Sequence, residues 1–87
     1  MDDILGAANK VLRAKGTLAI IYPASRLTDL LVRMRGFDIE PKRLRVVHPD
    51  TAREAKRVLV EGNRGGRRGM KILPPLLDQG DYSIIEK

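Results

Sequence analysis

Residues 62–69 read GNRGGRRG, four glycines and three arginines in one run, and Lys71 follows two residues later. Glycine lets a backbone approach a ligand closely, and the amides of glycine-rich turns bind phosphate oxygens. Arg64, Arg67, Arg68 and Lys71 are therefore candidate contacts to nucleic-acid phosphates, through a chemistry that is blind to sequence and weakened by salt. A dinucleotide cradle needs such glycines between a strand and the opening of a helix, and no helical pattern follows Gly69. His48 is the single histidine. With no nucleophile or carboxylate partner assignable to it, a hydrogen-bonded histidine at a strand end is the simpler reading. One histidine and no cysteine leave no metal site to expect and no disulfide framework.

The chain holds 17 Lys+Arg against 11 Asp+Glu, a formal charge of +6, and its isoelectric point is near 10.2. That balance favours a polyanionic partner, RNA above all. Aromatic residues make up only 3% of the chain, so stacking platforms for bases are scarce and a self-sufficient RNA-binding module is disfavoured. Eighty-seven residues, 43% of them apolar, make one small domain or part of a larger one. No apolar run approaches membrane length, and MDDILGAANK is acidic at its start, unlike a signal peptide. A cytoplasmic chain with no membrane partner is expected.

These residues need a scaffold. In DDILGAANKVLRAKG the apolar positions Ile4, Leu5, Ala8, Val11 and Leu12 recur at helical spacing, with Arg13 and Lys15 in the last turn and Gly16 closing it. TLAIIYP, 17–23, is continuously apolar, the pattern of a strand buried on both faces. Ser25 is placed to cap a second helix through Leu27, Leu30, Leu31 and Met34, ending at Gly36. LRVVHP, 44–49, and KRVLVEG, 56–62, read as strands joined by an antiparallel connection. The first two strands should be parallel across a right-handed crossover, with the last one antiparallel. Both helices then cover one face of a three-stranded sheet, and the other face lacks a cover.

VLRAKGTLAII, GFDIEPKRLRVVHP and VLVEGNRGGRRGMKILPPL together resemble the C-terminal half of bacterial S-adenosylmethionine-dependent methyltransferases related to the tRNA adenine-N6 methyltransferases. AKG stands where that family more often has Pro-Gly-Gly. The resemblance implies an α/β chain, a fragment of a class I, Rossmann-like sheet, with 1–62 belonging to the methyltransferase domain and 63–87 forming a Gly/Arg-rich tail with its Pro-Pro segment. It implies S-adenosylmethionine as cofactor and RNA, tRNA first, as partner of the parent enzyme. The family's glycine loop and its Asn/Asp-Pro-Pro-aromatic motif have no matching positions here, and Pro74-Pro75 stands between leucines. No catalytic or cofactor-binding residue is therefore assigned, and the fragment alone is expected to bind no cofactor and to be inactive. The alternative is a stand-alone basic RNA-binding or oligomerisation module.

Open α/β sheets bind ligands beyond the carboxyl ends of their parallel strands. Tyr22, Arg26, His48, Arg53 and Lys56 would line that rim, Tyr22 against a base and the cations against phosphates. Arg43 and Arg45 share one strand face, where guarding an exposed edge is the first explanation and a phosphate-facing ridge the second. The last strand ends on the side away from the rim, so GNRGGRRG reaches RNA there only if MKILPPLL folds back. A homodimer is expected to close the bare face and the first strand's edge.

Overall fold

The computed structural model describes residues 2–12 and 16–77. Helix α1 is Asp2–Val11, strand β1 is Thr17–Pro23, and a single 3-10 turn, Ala24–Arg26, leads into helix α2, Leu27–Gly36. Strands β2, Ile39–His48, and β3, Arg57–Arg64, follow, then two two-residue strands, β4 at Lys71–Ile72 and β5 at Leu76–Leu77. Two helices and a mixed sheet make an α/β fold. Arg13 and Lys15, expected to close the first helix, lie outside the described residues.

Strand β3 lies between β1 and β2 and runs antiparallel to both, so β1 and β2 are parallel without touching. The register aligns Ile20, Val60 and Leu44 in one row and Tyr22, Val58 and Val46 in the next. Those rows face the helices, where Leu5 and Ala8 of α1 and Leu30 and Met34 of α2 complete a single aliphatic core with Ile39. Asn9 Nδ2 donates to the Phe37 carbonyl at 2.7 Å and fastens α1 to the turn after α2.

Four local expectations change. Ser25 sits in the 3-10 turn rather than at the helix cap; Arg26 occupies the cap position and no side chain bonds there. Pro23, with φ fixed by its ring, turns the chain tightly enough that the helix is entered through 3-10 geometry. Strand β2 begins at Ile39, not at Leu44, because a register shift between Pro41 and Arg43 accommodates the proline within the sheet. Strand β1 is buried on one face and not on both, since nothing among the described residues covers the face away from the helices and Ile21 is 60% exposed there. Residues 71–77, within the expected tail, form two further short strands. They return along the outer edge of β2, parallel to it, pairing Arg43 with Lys71 and His48 with Leu77, and the Leu73 amide donates to the Leu44 carbonyl at 2.8 Å.

Gly62 is the glycine that packing demands. A Cβ there would lie 2.6 Å from Met34 Cε, 2.8 Å from Ile39 Cγ2 and 3.0 Å from the Glu40 carbonyl oxygen. Gly65, at φ +66, reverses the chain after β3, and its amide donates to the carbonyl of Asp38, itself at φ 62.

Glu40 is the one buried charged residue among those described. Arg35 meets it with two donors, Nε at 3.0 Å and Nη2 at 2.6 Å. The hydrogen bond from Arg35 holds the Glu40 carboxyl below its usual 4.5, with Arg68 and Lys42 adding weaker attraction. A depressed folded-state pKa contributes stability that is fully present above pH 4.5 and is lost as pH falls through the folded value. Glu40→Gln is therefore expected to flatten the acid limb of the thermal midpoint against pH below 4.5. Equal acid limbs in variant and parent would contradict that assignment.

Candidate substrate rim

The carboxyl ends of β1 and β2 lie at one end of the sheet, and the loop 49–56 is laced across it. The Ala24 amide donates to the Lys56 carbonyl at 3.0 Å, and the Lys56 amide donates to the Val47 carbonyl at 2.9 Å. Asp50 Oδ1 accepts from the amides of Ala52 and Arg53 at 2.9 and 3.0 Å, which shapes the loop as an Asx turn. His48 Nδ1 lies 2.8 Å from the Arg53 carbonyl oxygen, so the histidine is tied to the loop it precedes.

All five rim residues named from the sequence are placed here. Tyr22 is half-buried, with the Arg26 guanidinium carbon 5.7 Å from its ring centroid. Arg26 also reaches Asp29, at 3.5 Å. Tyr22 and Lys56 line one cleft of about 280 Å³. Arg53 and Lys56 line a second, of about 540 Å³, with Ser25. Arg53 leans on Asp50 at 3.3 Å, an exposed pair that solvent screens heavily.

Sequence reasoning missed the acidic side of this rim. Asp2, Asp3 and Arg33 join Tyr22 and Arg26 around a cleft of about 360 Å³. Arg33 bridges the helices, Nη1 to Asp2 at 2.6 Å and Nε to Asp29 at 3.0 Å. Those hydrogen bonds, Asp2 first and then Asp29, raise its pKa above the ordinary arginine value. The four-residue spacing of Asp29 and Arg33 was a readable signal for half of this bridge; the reach to Asp2 depends on tertiary packing.

The other candidates sit elsewhere. Arg64 pairs with Ile39 at the start of β2, so β3 ends opposite the rim. Its Nη1 donates to the Leu12 carbonyl at 2.9 Å, beyond the last turn of α1. Arg67, Arg68 and Lys71 are exposed, and Lys42 Nζ donates to the Arg67 carbonyl.

A methyltransferase cofactor does not fit these residues. The positive-φ glycines, Gly65 and Gly69, lie between β3 and β4, away from the rim, and Asp50 at the rim is already bonded to its own loop amides. No group of three histidine, cysteine or carboxylate residues suited to a metal occurs among the described residues. No described helix is long and apolar enough to cross a membrane.

Compared with solved structures, the chain superposes on the crystal structure of a predicted O-methyltransferase from Agrobacterium tumefaciens with a TM-score of 0.77 and 21% identity. The two chains share a fold over the matched region. The match covers 87% of this chain and 36% of that one, so the chain spans about a third of the neighbour's length. No protein-family model and no curated protein matches the sequence. The described rim belongs to two parallel strands flanking one antiparallel strand.

Proposed function

We propose that the chain is the substrate-side C-terminal piece of an S-adenosylmethionine-dependent methyltransferase that modifies adenine N6 in RNA, tRNA first. The observation that carries this reading is the antiparallel β3 between parallel β1 and β2, matched over 87% of the chain to a methyltransferase structure. The edge of β1 opposite β3 has no strand partner among the described residues, whereas the outer edge of β2 is taken by β4 and β5. In this reading the sheet continues beyond β1, and the cofactor site belongs to that continuation. In the absence of the continuation, a second copy of the chain closes this edge and covers Ile21, which is 60% exposed. Light scattering that finds a folded monomer overturns the dimer.

In this reading Tyr22 offers its ring to a base, steadied by Arg26, while Arg53 and Lys56 meet the flanking phosphates. The neighbour is named as a predicted O-methyltransferase; the resemblance of residues 36–49 and 58–76 favours the adenine amine as acceptor in this proposal. Digestion of the methylated RNA to nucleosides separates the two. N6-methyladenosine supports the proposal, and a 2′-O-methyl nucleoside or a label confined to small molecules overturns it.

A further inference from the structure

The sheet face turned away from the helices divides into two halves. On the β1 side it shows Ala19, Ile21 and Leu59; on the β2 and β4 side it shows Arg43, Arg45 and Lys71, with Glu61 and Arg57 on the strand between. The first half adjoins the free edge, where a continuing domain would pack. The second half is as far from that edge as the sheet allows.

Guarding a strand edge does not account for the cations. Strand β2 is interior, with β3 on one side and β4 and β5 on the other, so Arg43 and Arg45 stand on a covered strand and project from its face. Moreover, Arg43 and Lys71 are cross-strand partners, a like-charge pair that costs stability. The compensation is thin: Glu61 reaches Arg43 only at 3.8 Å, and both side chains are substantially exposed. Among the described residues, Arg43, Arg45 and Lys71 have Glu61 as the carboxylate on this half of the face. A second copy laid face to face would set these cations against their own kind. A polyanion relieves the repulsion.

We propose that Arg43, Arg45 and Lys71 form a phosphate-binding surface for RNA, separate from the rim. It rests on the RNA reading above and extends it to a part of the sheet which that reading does not use. The return of residues 71–77 builds the surface by bringing Lys71 beside Arg43, and exposed Arg67 and Arg68 lead into it along the chain. RNA backbone lying here is held by charge, since no aromatic among the described residues is on this half of the face.

Fluorescence anisotropy of the 87-residue chain with labelled oligouridylate of roughly 16 nucleotides, between about 50 and 200 mM KCl, tests this. Arg43→Ala/Arg45→Ala is expected to reduce the slope of log affinity against log salt by about 1.4, at roughly 0.7 per lost phosphate, and to weaken binding at low salt roughly tenfold. Arg43→Lys/Arg45→Lys keeps the charge and should keep the slope, which separates lost contacts from lost folding. A slope that falls only in Arg53→Ala/Lys56→Ala leaves the RNA reading standing and overturns this surface. If the parent chain binds no oligouridylate, or if the alanine pair alters dimerisation and not binding, the surface is likewise overturned.

Discussion

Leu30→Ala is expected to lower the unfolding free energy by about 2–5 kcal/mol, enough to leave the chain largely unfolded near body temperature. Leu30 is fully buried and belongs to the one core that both helices and all three long strands share. A domain of this size has no second core to fall back on, and its fully buried set is aliphatic, with Tyr22 and Phe37 packing at its margin. The adjacent Leu31, half-buried on the same helix, supplies the internal comparison. Its truncation should cost clearly less in the same urea titration. Equal costs for Leu30→Ala and Leu31→Ala would contradict the packing described here.

The second large effect is at Gly62. Gly62→Ala places a methyl 2.6 Å from Met34 Cε and 3.0 Å from a backbone oxygen, and should destabilise by about 1–3 kcal/mol. The Met34 methyl is the far end of a flexible side chain, whereas the Glu40 carbonyl is fixed by the strand. Combining Gly62→Ala with Met34→Ala should therefore recover part of the loss, giving a double mutant more stable than the summed single effects. Simple additivity would show that the glycine is not held against Met34. What GNRGGRRG contributes at its first residue is thus room for α2 to lie against β3, and only its later residues are free for phosphate.

Part of this arrangement was legible in the sequence. The Leu27, Leu30, Leu31, Met34 series fixes α2 and the face it buries, whereas the continuous apolar run gives the strand β1 but not its face: it reads as buried on both, and Ile21 stands 60% exposed. The start of β2 was not legible: Pro41 reads as a break, and only the register shift beside it permits a proline there. Nor were β4 and β5, whose two residues each are too short to carry a period, and Pro74-Pro75 between them argues against any strand. That return matters most, because it turns Arg43 and Arg45 from an edge into a face. The rim residues Tyr22, Arg26, His48, Arg53 and Lys56 followed from strand direction alone, a global property that topology supplies. Asp2 and Arg33 did not, since a helix N-terminus meets the second helix only through packing.

The central claim is that this chain supplies the substrate side of a methyltransferase and depends on a continuation at β1 for its cofactor. Transfer of labelled methyl from S-adenosylmethionine to tRNA, run with the 87-residue chain alone and with the whole domain containing it, tests this most directly. The expected result is no transfer by the chain alone and label on RNA with the whole domain. Turnover by the chain alone, or a whole domain that moves no methyl onto RNA, would contradict it.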